Sequence, residues 1–408
     1  MGIYTTYSDK IVDEKLDKYF NLIIEKIIDI VGKDNIKAIV LFGSFGRGEG
    51  GVIVENGNVT PVNDFDITIF VKNNLTQLRK MYSKELEDSA QLLSENIGIK
   101  QIDLDLSHPF TLLFAKMNNA NYEMYNGNKI LYGYIDIKKI MLKQRHDKIK
   151  LVDGANYFLT RGSGLVLAGY SLMKYAESPP KLILENLEIE INKAILAIGD
   201  SYLIKKTKYH YLYNQRIKHA QELSFNDVDN GNEIKKLYIN ALHWKLKPSF
   251  SSASRKIKIE KLIYTINIFS SYFLWFESKR LNNNFKSWLD YSSQIIILQK
   301  VDLNFVFRKT VLGFLKNPKK FTKNLITNKI TFNDFAMKLS IMPLVLFAFN
   351  NRIHKSNLML NQANKNLKTF YERDEKNDWN SLAEEYLNIF HPNGLLNSIK
   401  NNKKLNKK

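Results

Sequence analysis

The stretch from Ile36 to Phe70 constrains this chain most. A mostly apolar run, Ile36 to Phe42, breaks into Gly43-Ser44, and twenty positions beyond Ser44 two aspartates, Asp64 and Asp66, alternate with apolar residues. The run reads as a buried strand entering a phosphate-binding turn. In an extended strand residues i and i+2 face the same way, so Asp64 and Asp66 project together while Phe65, Ile67 and Ile69 point to the core. Two adjacent carboxylates suit a divalent cation. A third acid comes from Ile99 to Leu106, which also alternates: Asp103 and Asp105 share one face, and Ile102, Leu104 and Leu106 the other. Hard oxygen ligands of this kind suit Mg²⁺, which keeps several waters and binds through one or two carboxylates plus substrate phosphates. A nucleoside triphosphate fits that description.

At these residues, Gly43-Ser44, Asp64-Phe65-Asp66 and Asp103 or Asp105, the chain resembles the DNA polymerase β-like nucleotidyltransferase superfamily, with its minimal or kanamycin-type domain. The resemblance covers roughly the first third of the chain. It implies an α/β (α+β) catalytic domain over residues 1–135, with a mixed sheet flanked by helices. It further implies two Mg²⁺ (or Mn²⁺) ions held by Asp64, Asp66 and the third acid, and transfer of a nucleotidyl group from an NTP, expected to be ATP, to a hydroxyl acceptor. Asp103 is the preferred third acid, with Asp105 as the alternative. Gly43 and Ser44 would hold the phosphates and Arg47 would add a clamp. Helices over 136–390 would form an acceptor-binding wall.

The family usually places its acid pair about ten residues after Gly-Ser, half the interval found here. The intervening Val52 to Val62 explains the difference. Two short β-prone runs flank Asn56-Gly57, the strongest short hairpin signal, so a hairpin is expected inside this loop. The same loop matches a dinucleotide-binding glycine pattern, Gly46-Arg-Gly48-Glu-Gly-Gly51. That fingerprint works only where a helix follows to meet the pyrophosphate, and here Val-Ile-Val follows. A protein-kinase glycine loop is equally unsupported, because the catalytic-loop and metal-loop motifs that accompany it are missing.

Composition sets the outer limits. At 408 residues with 44% hydrophobic content, the chain can hold two or three domains with proper cores. It has no cysteine, which excludes disulfides, thiolate zinc sites and a cysteine nucleophile and fits a cytoplasmic location. The N-terminal residues show no leader pattern. Leu262 to Phe276 and Ile341 to Phe349 are too polar or too short for a membrane span and read as buried helices. Charge is unevenly placed. Residues 1–150 hold 20 Lys/Arg and 20 Asp/Glu, whereas residues 151–408 hold 40 basic against 21 acidic, which accounts for the whole net charge of +19. That half would attract a polyanion such as RNA, although part of the excess lies in a Lys-rich tail, 391–408, expected to be disordered. An RNA-binding protein, or a regulatory, antitoxin-like nucleotide-binding protein, is therefore the competing expectation.

Helical periodicity predicts helices over Asp9 to Ile30 and Leu75 to Asn96, and Lys129 to Gly133 reads as a last strand. From Asp136 onward the pattern is helical. A long helix over Leu184 to Lys206 carries Glu188, Lys193 and Asp200 and leads into Lys208-Tyr-His-Tyr-Leu-Tyr-Asn-Gln-Arg216. This aromatic and basic cluster could stack a base or clasp phosphates, but a solvated face with half-buried tyrosines is the preferred expectation. The seven histidines are scattered without metal-ligand spacing. His108, just past the third-acid strand, reads as a loop histidine satisfied by backbone.

Overall fold

The computed structural model describes residues 2–175, 179–299, 334–349, 355–371 and 373–390. These form two compact units, one of Met1–Gly154 with Gly199–Ser252 and the other of Ala155–Ile198 with Ala253–Lys408. Residues 136–154 and 199–252, beyond the expected boundary at 135, thus fall in the same unit as the sheet. The tail 391–408 lies outside the described residues.

The first unit opens with helix α1 (Lys10–Val31), capped by the Asp9 carboxylate, which accepts from the Ile11 N–H at 2.9 Å. Its buried face is Val12, Leu16, Phe20, Ile23, Ile27 and Ile30, whereas Ile11 is 60% exposed and lies off that face. Strand β1 (Ile36–Leu41) follows, buried apart from Lys37, as befits a central strand. Next come the short helix α2 (Gly43–Gly46), strands β2 (Val52–Glu55) and β3 (Asn58–Pro61), strand β4 (Phe65–Val71), helix α3 (Leu75–Ile97) and strand β5 (Ile102–Ser107).

The predicted hairpin is present. Glu55 pairs with Asn58 across Asn56-Gly57, whose φ values of 49° and 76° give the turn a type I′ twist. No helix follows the glycine-rich segment, in keeping with rejection of the dinucleotide pattern. Strand β5 begins three residues later than predicted. Gly98, at φ 77°, ends α3 with its own N–H and that of Ile99 both donating to Ser94 O, so Ile99 is used in the helix stop.

Helix α4 (Asn119–Asn126) and strand β6 (Lys129–Gly133), the predicted last strand, complete the sheet in the order β5-β4-β1-β6. β4 and β5 run parallel, and β1 is antiparallel to both β4 and β6, so the sheet is mixed. One face packs against α1 and α3 through Ile39, Leu41, Phe65, Ile67 and Ile69. The other, through Ala38, Val40 and Phe70, packs against Leu112, Ile135, Ile137 and Met141. Phe65 packs tilted against Phe20 and edge to face with Phe45, at ring separations of 4.7 and 4.8 Å, which anchors the residue between the two aspartates in the core.

Short helix α5 (Ile137–Ile140) and helices α6 (Leu151–Lys174) and α7 (Lys181–Lys205) follow, and the unit boundaries fall within α6 and α7. Helices α8 (Tyr213–Glu222) and α9 (Gly231–Leu246) belong to the first unit. The second unit contains α10 (Arg255–Leu281), α11 (Trp288–Leu298), α12 (Asp334–Ala348), α13 (Lys355–Tyr371) and α14 (Trp379–Phe390). Its core gathers Phe158, Phe269, Phe273 and Phe276, and a buried Lys258–Glu188 pair crosses it. The stretches around Leu262 and Ile341 are buried helices, as predicted, and among the described residues no helix is long and apolar enough to cross a membrane.

Candidate active site

Register decides which acids meet. β4 and β5 align Asp66 with Asp103 and Thr68 with Asp105, at the ends of two parallel strands whose spacing is about 4.8 Å. Asp66 lies beside the end of β1, where its carbonyl accepts the Phe42 N–H at 2.8 Å. Asp64 immediately precedes the strand, which starts at Phe65. The Asp66 residue is exposed, yet its carboxyl group is crowded. Burial on the protein side, followed by the negative charges of Asp64 and Asp103, pushes its pKa up to about 6, while Arg47 and Lys245 pull the other way. Asp103 is raised by burial and by Asp64, against the effect of a 2.6 Å hydrogen bond from Gln101. Asp105 lies further along β5 and pairs with Arg79 at 3.3 Å. The structure thus couples Asp64, Asp66 and Asp103 and leaves Asp105 outside that set.

Gly43 belongs to the same constellation. It adopts φ 63°, a region that disfavours side chains, and a Cβ added there would lie 2.0 Å from Asp66 Oδ2. The turn therefore presses its backbone against the acid, and a side chain at this position would be strained by its φ and would displace the Asp66 carboxylate. Ser44, next in the chain, is buried, and its hydroxyl accepts a hydrogen bond from Asn63 Nδ2 at 3.0 Å. Asn63 Oδ1 in turn accepts from Lys245 Nζ at 2.7 Å. Because Ser44 Oγ is an acceptor in this chain, its own proton stays available to donate. Neither Asn63 nor Lys245 was anticipated. Asn63 adjoins the acid pair, a signal that could have been read, but Lys245 comes from α9 and carried none.

Arg47 is placed differently from its expected role as a phosphate clamp. Its side chain is 2% exposed, and its guanidinium donates to Glu123 Oε2 at 2.7 Å and stacks over the Tyr213 ring at 4.9 Å. Glu123 also accepts from Tyr209 and from Arg216, and Arg216 reaches Asp200 at 3.0 Å while Tyr238 donates to Asp200 at 2.6 Å. Two arginines and two acids form one enclosed network. The arginines hold the Glu123 carboxyl below the usual range against the cost of its burial. Within this segment Lys208 is exposed and Tyr211 half-buried, as expected, whereas Tyr209, Tyr213 and Arg216 are buried, with Tyr209 and Arg216 tied to Glu123.

Glu49 adds a second tie. Its buried carboxylate accepts the N–H groups of Tyr213 at 2.6 Å and Asn214 at 3.1 Å, capping α8 from a distant part of the chain. The glycine-rich loop is thereby fastened to α8 on both sides of Gly48. His108 is satisfied by backbone as expected: Nδ1 accepts from Phe110 N–H at 3.1 Å, and Nε2 lies 3.2 Å from Lys72 O.

Among the described residues, no group of three or more His, Asp or Glu side chains is placed so that it could hold a metal ion. Asp66 and Asp103 offer hard carboxylate oxygens of the type that Mg²⁺ takes one or two of, the rest of its coordination coming from water and phosphate. Compared with known proteins, the chain matches no family model, and no curated protein is significantly similar to it.

Proposed function

We propose that the chain is a metal-dependent nucleotidyltransferase that moves an NMP group from an NTP, with ATP the expected donor, to a hydroxyl acceptor. The observation that carries this reading is the convergence of the Gly43-Ser44 turn on Asp66, with Asp103 aligned beside it on the parallel strand. Asp64, Asp66 and Asp103 would hold Mg²⁺ or Mn²⁺. When bound, such ions supply charge neutralisation for the triphosphate and lower the pKa of the acceptor hydroxyl.

The remaining chemistry belongs to the chain's own residues. The first turn of α2 leaves backbone N–H groups without acceptors inside the helix, and these, with the donating Ser44 hydroxyl, suit phosphate oxygens. Lys245 and Asn63 hold that hydroxyl in orientation. Asp103 accepts the acceptor's proton as its oxygen attacks the α-phosphorus. The bond from that phosphorus to the bridging oxygen breaks, and pyrophosphate leaves with the electron pair. Arg47 acts as a positioning residue: it fixes the loop through Glu123 and favours the ionised form of Asp66.

The test is incubation of the pure protein with each α-³²P-labelled NTP, Mg²⁺ or Mn²⁺, and a cell extract, beside Asp66→Ala. Label transferred by the wild type alone supports the reading. Transfer that persists in Asp66→Ala, or no transfer from any NTP, overturns it.

A further inference from the structure

The neutral balance of the first 150 residues conceals a polarity. Residues 1–107 hold 12 Lys/Arg against 17 Asp/Glu, whereas residues 108–150 hold 8 against 3. The three acids of the latter stretch are already engaged: Glu123 with Arg47 and Arg216, Asp136 with Lys139 at 3.6 Å, and Asp147 with Arg145 at 2.8 Å. Seven of its eight cations are lysines. An ammonium is a hydrated point charge on a flexible stem and suits a diffuse anionic surface, whereas a guanidinium fork suits a fixed bidentate partner.

The same stretch carries large apolar side chains in solvent. Pro109–Phe114 forms a 3₁₀ segment, in which residues three apart lie above one another. Pro109 and Leu112 share its inner side, and both are buried, Leu112 in one cluster with Ile135, Ile137 and Met141. Phe110 and Leu113 share the outer side at 58% and 45% exposure, and Phe114, 54% exposed, meets the Phe110 ring edge to face at 5.1 Å. With its inner side pinned, the segment holds these rings away from the core. Leu142, also exposed, lies just past α5, which packs on the segment. Exposed lysines flank them: Lys116 two positions beyond Phe114, Lys138 and Lys139 on α5, and Lys143 next to Leu142. Adjacent apolar side chains left in solvent mark an interaction surface. Set among lysines, they match the boundary of an anionic bilayer, where rings and aliphatic groups enter the headgroup layer and lysine stems reach the lipid charges.

We propose that this face docks on an anionic lipid bilayer, with Phe110, Leu113 and Phe114 entering the headgroup layer and Lys116, Lys138, Lys139 and Lys143 meeting the acidic headgroups. The segment leaves the end of β5 remote from Asp103, and the His108 ring lies 3.2 Å from Lys72 O just past β4. The face therefore stands at the far end of the two parallel strands from the candidate carboxylates. Docking there is independent of the transfer reaction.

The test sediments the full chain with phosphatidylcholine vesicles and with vesicles in which about a third of the lipid is phosphatidylserine. Wild-type protein should partition onto the anionic vesicles about tenfold or more strongly than onto the neutral ones at about 0.1 M NaCl. Phe110→Ser combined with Phe114→Ser should lower that partitioning about tenfold or more with Tm unchanged, because both rings are exposed. Because the chain has no cysteine, Phe114→Cys and, on the β2–β3 hairpin, Thr60→Cys each take a single environment-sensitive fluorophore. The label at 114 should shift to the blue on anionic vesicles and the label at 60 should not. Equal partitioning of the wild type onto both vesicle types, or none at about 1 mM lipid, would overturn the proposal. So would a double phenylalanine variant that binds like the wild type, which would assign attachment to the basic residues of 151–408. A label at 114 that ignores vesicles but responds to single-stranded RNA would overturn it in favour of a nucleic-acid partner. The vesicle comparison on unmodified protein stands even if a variant fails to fold.

Discussion

Glu123→Gln tests the enclosed ion network most directly. Glu123 is the shared acceptor for Arg47, Arg216 and Tyr209, and both arginine side chains are 2% exposed. Removing its charge leaves Arg216 with Asp200 and strips Arg47 of its only ion-pair partner among the described residues. Breaking a buried pair costs about 3–5 kcal/mol, chiefly because a buried charge is left uncompensated. Glutamine keeps one acceptor oxygen, so the expected loss is at the lower end, about 3 kcal/mol. At about 2–4 °C per kcal/mol for a unit of this size, Tm should fall by about 6–12 °C. Asp227→Asn provides the contrast: Asp227 pairs with Lys205 and Lys206, but its side chain is 38% exposed, so less than about 1 kcal/mol should be lost. Because the chain has two units, hydrogen exchange of peptides covering β1, β4 and α8 should accompany calorimetry. The pH dependence has a definite sign. The folded-state pKa of Glu123 is depressed, so its contribution is fully present above the ordinary 4.5 and is lost as pH falls through the folded value. The gap between wild type and Glu123→Gln should therefore narrow in acid. A loss under about 1 kcal/mol at neutral pH, or a gap that widens on acidification, would refute the argument.

Three further outcomes are expected. His210 is depressed from 6.5 to about 4, so between those values the unfolded chain binds a proton that the native chain does not; stability should rise with pH across that window, and His210→Phe should flatten the rise in pH-resolved thermal melts. Gly43 and Gly57 both have positive φ, but a Cβ at Gly57 meets nothing within 4 Å whereas one at Gly43 strikes Asp66; Gly57→Ala should cost about 1 kcal/mol in urea melts and leave transfer intact, while Gly43→Ala should abolish transfer. Asp103→Asn should lower transfer by about a hundredfold or more, whereas Asp105→Asn, which removes one contact of the exposed Arg79 and leaves its bonds to Leu106 O, should stay within about threefold; equal loss in single-turnover assays would contradict the register argument.

The elements that could be read along the chain were those governed by local physics. Alternation placed Phe65, Ile67 and Ile69 in the core opposite Asp66, because a strand's side chains alternate whatever packs on them. Asn56-Gly57 specified the hairpin because both residues tolerate positive φ, and Asp9 marked the start of α1 through a hydrogen bond two residues long. The choice between Asp103 and Asp105 was not legible in this way: both face the same side of β5, and only its register with β4 sets Asp103 beside Asp66. Arg47 looked like a phosphate ligand from its place in a glycine-rich loop, but Glu123, seventy-six positions away, takes up its guanidinium. Lys245 reaches the site across 182 positions of sequence through Asn63. By itself the sequence determined a mixed α/β beginning, a glycine turn and a set of acids on predictable faces. Which of those acids share a field, and which cations are buried beside them, was decided by tertiary packing, because enclosed charges must find partners wherever the folded chain brings them.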